Sequence, residues 1–194
     1  METKQPPSPL KGEQNPDLYD MYSRFDKSNQ IHDTAIIYDN VEMGKNNVIG
    51  AFAVIGSNGE IRDMKPEEFF GRVVIGDNNV ISELVTIQRP AASGQVTKIG
   101  NDNIIMAHAH IGHDVVIGNG CEICTGTIVG GYAQIADGVK LKLGVTVRNR
   151  MKIGKNALVG LGGVVVKDVN AEVVVVGNPA REMIQKKNYE GQED

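Results

Sequence analysis

The sequence predicts an all-β protein, a parallel β-helix wound from six-residue units. Three observations carry this. From Ile31 almost to Asn170 an aliphatic residue, often followed by glycine, recurs every six positions, most clearly at Ile99, Ile105, Ile111, Ile117, Ile123, Val129, Ile135, Leu141, Val147, Ile153, Val159 and Val165. The residue four places after each aliphatic is nearly always small, as at Ala109, Val115, Cys121, Thr127, Ala133, Val139, Val145, Met151, Ala157 and Gly163. With 23 glycines and 5% aromatic residues in 194, the composition suits a solenoid with a thin core in which large and small residues alternate. A helix does not explain the period, because 3.6 residues per turn would walk a six-spaced residue around the axis, and glycine next to β-branched residues is poor helix material.

Taken in order, residues 1–30 carry Pro6, Pro7, Pro9 and Pro16 among polar residues, with no apolar core of signal-peptide length, and are expected to form an extension that caps the first coil or crosses to a neighbouring subunit. Hexads then begin at Ile31, Ile37, Met43, Ile49 and Ile55, and resume at Ile75, Ile81 and Ile87. Two excursions are implied, over residues 56–73 and 88–98. Three hexads to a coil give about seven coils, a prism of about 35 Å at one strand layer per coil. Val173 to Val176 is expected to form the last strand, Gly177-Asn178-Pro179 a turn, and Ala180 to Lys187 a short helical cap. The expected organisation is therefore an extension (1–30), a β-helix (31–178), and a helical cap with a polar tail (179–194).

A net charge of -4 removes the basic field expected of a nucleic-acid binder. No run of about twenty apolar residues is present, which argues against a membrane span, and the protein is expected in the cytoplasm. Cys121 and Cys124 form a C-x-x-C, but Cys121 falls on the small inward position and no second pair completes a zinc site, so both are expected to be structural.

Three of the four histidines fall within six positions, in Met106-Ala107-His108-Ala109-His110-Ile111-Gly112-His113-Asp114. Alternation places Ala109 and Ile111 inward and therefore His108 and His110 outward; His113, two residues after Ile111, belongs to a corner and is expected to be exposed. Imidazole is suited to general-base work near neutrality, and a neighbouring carboxylate can hold its tautomer.

These residues resemble the catalytic segment of the UDP-N-acetylglucosamine acyltransferases, which act first in lipid A assembly, and the similarity runs from about Ile31 to Ala180. The family's Asn-Ala-His-Ile-Ala-His-Asp corresponds to His108-Ala109-His110-Ile111-Gly112-His113-Asp114. The resemblance implies His113 as general base, Asp114 as its partner, and contact of His110 with the sugar nucleotide. Asp63-Met64-Lys65 matches a family loop whose Asp and Lys hold the sugar nucleotide, with a solvated charged loop as the other reading. Val129-Gly130-Gly131 resembles a turn whose second glycine offers its N–H to an oxyanion, although Gly131 is equally placed to be a plain corner glycine. Parallel crossovers are normally right-handed; only the resemblance implies a left-handed helix.

Departures from the family pattern bear on the donor and the acceptor. Gln88, Tyr132 and Arg148 stand where the family carries histidines that meet phosphate and acyl carrier, and Leu161 replaces a glycine that lets a long acyl chain run along the prism. The resemblance is not expected to extend to the family's C-terminal helical domain; Val175-Val176-Gly177-Asn178-Pro179-Ala180 instead resembles the ending of coenzyme-A-dependent acetyltransferases of sugars and small molecules. Two rivals remain. A γ-type carbonic anhydrase would also place two histidines five apart, but its second opens the next strand, where Gly118 stands here, and only His32, far away, precedes the cluster. A non-catalytic solenoid is opposed by the histidines and the Asp63/Lys65 loop. The expectation is a homotrimeric acyltransferase without bound cofactor or metal, moving an acyl group from a coenzyme A or acyl-carrier-protein thioester to a hydroxyl or amine of a nucleotide-linked sugar.

Overall fold

The structure is a computed structural model that describes residues 22–183. Among the described residues short strands, parallel but for the last pair, stack into three faces of a prism, of nine, seven and six strands, and as far as Val164–Val165 consecutive strands visit the faces in rotation. The first face runs from Gln30–Ile31 through Val48–Ile49, Val80–Ile81 and Ile104–Ile105 to Val174–Val176; the second holds Val54–Asn58, Thr86–Arg89, His110–Ile111, Ile128–Val129 and Val164–Val165; the third holds Arg72–Ile75, Val96–Ile99, Val116–Ile117 and Lys152–Ile153.

Register shows how the repeat closes. Ile105 pairs with Ile81 below and Ile123 above, Ile111 with Ile87 and Val129, and Ile117 with Ile99 and Ile135. Each aliphatic of the hexad thus stacks on its counterpart one coil away and points into the core, where these side chains are almost fully buried. Removing such a side chain from water stabilises the fold by about 1.5–3 kcal/mol. Smaller inward residues fill the corners, and one corner is polar. Asn47, Asn79 and Asn103 form a fully buried ladder in which each Oδ1 accepts the backbone N–H one coil up, ending at Cys121 N–H at 2.7 Å. No sequence expectation covered this ladder.

The corners turn through a left-handed residue three places after the inward aliphatic, which is glycine at Gly120, Gly126, Gly138, Gly144 and Gly162 but also His108 (φ 60°), Asp114 (φ 60°) and Tyr132 (φ 63°). The glycine next to the aliphatic has another cause, close approach of the next coil, whose backbone would lie 2.4 Å from a Cβ on Gly100 and 2.8 Å from one on Gly112. Both excursions leave the second face and return on the third, so they stack at one edge. The first contains a 3₁₀ turn at Pro66–Glu68. They are stitched together by Phe70 N–H to Ala91 O (2.8 Å) and Gly71 N–H to Pro90 O (3.1 Å). The next corner up that edge is His113-Asp114.

At the N-terminal end Phe25 is buried against the core, Tyr22 packs on it, and the Tyr22 hydroxyl donates to Ala35 O. The C-terminal end corrects the expected helix over 180–187. Arg181–Glu182 is a strand, antiparallel to Val174–Val176. The last strand of a stack presents unpaired N–H and C=O groups, and pairing with a short charged strand satisfies them. Residues 184–187 of that expectation lie outside the described residues. Among the described residues no helix is long and apolar enough to cross a membrane.

Candidate active site

His110, His113 and Gly131 meet in an open pocket of about 400 Å³ on the second face, lined also by Glu60, Gln88, Gly112, Ile128, Gly130 and Asn149. The stack builds it. Gln88, the segment His110 to His113, the segment Ile128 to Gly131, and Asn149 come from four successive coils at the edge where the excursions leave. Its floor is glycine because nothing larger fits: a Cβ on Gly112 would lie 2.8 Å from Gly131 N, and one on Gly130 2.4 Å from Asn149 Oδ1.

The His113 imidazole is held on several sides. Nδ1 lies 2.8 Å from Asp114 Oδ2. Tyr132 meets the ring edge-on with centroids 5.0 Å apart. A Cβ on Gly59 would come within 2.8 Å of His113 Cβ, and one on Gly131 within 2.7 Å of Nε2. The expected exposure of His113 is therefore corrected: the residue is only 8% exposed. The side chain is outside the prism core as the phase requires, but Gly59 of the first excursion and Tyr132 of the next coil cover it. The Gly131 N–H donates to no acceptor among the described residues.

His110 faces out from its strand, and its Nδ1 lies 2.7 Å from Thr86 Oγ1, one coil below in register. Burial pushes the His110 imidazole below its ordinary pKa; Glu60 opposes the shift and His113 adds to it. His108 does not join this group. It is exposed at the opposite edge of the second face, where its N–H donates to Glu83 O. Gln88 is buried and Tyr132 packs on His113, while Arg148 is exposed and outside the pocket lining. Asp63 and Lys65 are exposed on the first excursion and do not line the pocket; the Lys65 N–H donates to Glu68 Oε2 at 2.6 Å. Leu161 is 68% exposed and follows a first-face strand, Leu158–Val159, so it shares its edge with His108 rather than with His113.

Glu60, Thr86 and Thr97, whose Oγ1 accepts the Asp114 N–H at 2.9 Å, were missed from sequence. Removing the excursions and counting three hexads per coil places Thr86 beneath His110, so that signal was present. Thr97 occupies the small inward position, which the hexad phase also gives. Glu60 lies in an excursion without periodicity and carries no signal. Among the described residues no three His, Cys, Asp or Glu side chains converge as a metal site. Cys121 and Cys124 are buried free thiols.

The model of the bacterial transferase hexapeptide (six repeats) matches residues 97–131. An acyl-(acyl-carrier-protein)-UDP-N-acetylglucosamine O-acyltransferase of Pseudomonas paraeruginosa is 40% identical over 146 residues, 75% of this chain and 55% of that protein. Among solved structures, the UDP-N-acetylglucosamine O-acyltransferase of Moraxella catarrhalis is 32% identical with a TM-score of 0.62, covering 82% of this chain and 71% of the other. This chain belongs to the UDP-N-acetylglucosamine acyltransferase family. A further acyltransferase of this family, from Bacteroides fragilis, superposes with a TM-score of 0.76 at 31% identity, covering 80% of this chain and 60% of that one, and the shared fold is the left-handed parallel β-helix. The chain spans about half the length of the curated relatives it matches.

Proposed function

We propose that the protein transfers an acyl group from a thioester to a hydroxyl or amine of a nucleotide-linked sugar, with His113 as general base. The observation that carries this reading is the His113–Asp114 pair, 2.8 Å apart, facing a pocket beside the Gly131 N–H, which has no acceptor among the described residues. With Nδ1 held by the carboxylate, Nε2 takes the proton of the acceptor as its oxygen or nitrogen attacks the thioester carbonyl. Gly131 N–H receives the developing oxyanion. Collapse of the tetrahedral intermediate breaks the carbon–sulfur bond, and the imidazolium returns its proton to the departing sulfur. His110, Gln88 and Glu60 line the space left for the sugar, and no covalent enzyme intermediate is required.

In this reading the donor is a coenzyme A or acyl-carrier-protein thioester, and the P. paraeruginosa relative, by its name, uses the carrier protein. The enzyme is placed in the cytoplasm, as the sequence reading expects, and as the homotrimer that the family resemblance implies; in such an assembly a neighbouring prism would exclude water from a pocket open on one flat face. The test is a mass-spectrometric screen of nucleotide sugars against acetyl-, medium- and long-chain thioesters of both carriers. An acylated nucleotide sugar formed catalytically supports the reading. Failure to acylate any nucleotide sugar with either carrier contradicts it.

A further inference from the structure

We propose that Thr97 is a positioning residue for the His113–Asp114 pair, acting through the backbone of Asp114. The inference rests on the functional reading above and adds to it a residue that touches neither substrate nor base. At the edge between the second and third faces, three successive coils turn through a left-handed residue: Asp114, Tyr132 and Arg150. The upper two have their N–H groups received by a backbone carbonyl of the coil beneath, Tyr132 by His113 O and Arg150 by Gly131 O, each at 2.9 Å. Asp114 has no such carbonyl. The chain beneath it departs on the second excursion between Thr86–Arg89 and Val96–Ile99, so the corner that would have supplied one is missing.

The Thr97 hydroxyl takes that place. Its Oγ1 accepts the Asp114 N–H at 2.9 Å, from a side chain that is 0% exposed. Hydroxyl oxygens accept a left-handed corner N–H at two other places among the described residues, Ser28 for Asn46 and Thr34 for Phe52, both on the exposed surface of the first coils. Thr97 alone does so from the interior, and it does so under the carboxylate that faces His113. A left-handed aspartate costs backbone energy, and an unreceived amide at a covered corner costs more. Without this acceptor the corner relaxes, and the carboxylate leaves the line to Nδ1. A hydroxyl is the smallest group that fills a position made for small inward residues and still accepts a hydrogen bond.

The test compares Thr97→Val, which keeps the shape and removes the acceptor, with Thr97→Ser, which keeps the acceptor; Thr97→Cys, a weak acceptor of similar size, serves if the valine variant does not fold. Expected is a loss of about tenfold in kcat for Thr97→Val at unchanged acceptor KM, with Thr97→Ser near the native rate. In an Asp114→Asn background, Thr97→Val should cause little further loss, because it acts through Asp114. Independently of turnover, nuclear magnetic resonance should show the Asp114 amide protected from exchange, and the His113 Nδ1 proton retained, in the native protein and Thr97→Ser but not in Thr97→Val. A full loss in the Asp114→Asn background, or an unchanged His113 Nδ1 signal in Thr97→Val, overturns the proposal. A native protein that acylates nothing but shows the resonance differences refutes the functional reading while leaving the coupling of Thr97 to the His113–Asp114 pair intact.

Discussion

Tyr132 stands edge-on to His113, with ring centroids 5.0 Å apart and planes at 87°, and the Arg150 guanidinium sits 4.2 Å above the Tyr132 ring. Tyr132 and Arg150 come from consecutive coils of the same edge, so the stack that closes the prism also braces the imidazole. T-shaped ring pairs contribute about 0.5–1.5 kcal/mol beyond their buried area. Asp114 fixes Nδ1, Tyr132 fixes the ring plane, and Gly59 closes the remaining side, which leaves Nε2 beside Gly131 as the atom available for chemistry.

Gly59→Ala tests that closure. The added methyl would meet His113 Cβ at 2.8 Å, closer than Cβ atoms approach, so the loop or the imidazole must shift. Turnover should fall about tenfold, the scale of small misplacements at a reacting group, while thermal unfolding changes little because the contact lies outside the core. Native turnover in this variant would show that the first excursion does not position His113.

Replacing Asp63 or Lys65 tests the resemblance of their loop. If they hold the sugar nucleotide, either substitution raises the acceptor KM or lowers acceptor kcat/KM by about tenfold, a loss in the range of a hydrogen bond to a charged group, without altering donor affinity. Equal weakening toward donor and acceptor argues that the loop only packs.

The architecture was legible because its signal is periodic: each coil repeats the same demand for an inward aliphatic, and Ile105 stacking between Ile81 and Ile123 is that demand met. The outward direction of His110 came from the same alternation. Features outside the period were not legible. His113 is covered by Gly59, which is brought there by an excursion whose path no repeat specifies. Its dependence on Thr97 arises because a second excursion removes a carbonyl, an effect of a missing corner rather than of any motif. Local pattern at Arg181–Glu182 suggests the start of a helix, but the open end of the first face supplies hydrogen-bonding partners for a strand.

Leu161 tests the acyl-chain reading. Two consecutive coils place exposed leucines at one edge, Leu143 and Leu161, and a chain lying in a groove between prisms would meet them. Each methylene of acyl chain buried there contributes about 0.8 kcal/mol, so a leucine that fills the groove favours short donors. The native protein should prefer acetyl or another short acyl group, and Leu161→Gly should gain longer ones in a competition among thioesters. Efficient use of a hydroxymyristoyl-length thioester by the native protein contradicts this, and an unchanged chain-length preference in Leu161→Gly places the chain elsewhere.

The thiols should be inert. Burial, and then the Glu122 carboxylate that accepts its S–H at 3.1 Å, push the Cys124 thiol up to about 11 from 9.0. The thiolate is the reactive form, so iodoacetamide at pH 8 should leave both cysteines of the native protein unlabelled and label both in urea. The linked stability effect has a definite sign: below about pH 9 the Cys124 contribution is fully present, and it is lost as pH rises through about 11, because the native state keeps a proton the unfolded chain has released. Cys124→Ala should flatten that alkaline loss in urea titrations. Prompt labelling of folded protein contradicts the assignment.

The most direct measurement is the turnover of His113→Ala in the acyl-transfer assay, with folding checked by circular dichroism and thermal unfolding. A base role for His113 predicts a folded variant whose turnover is lower by about two to four orders of magnitude, the range for loss of a positioned base, with His110→Ala losing less; a folded His113→Ala that turns over at the native rate contradicts it.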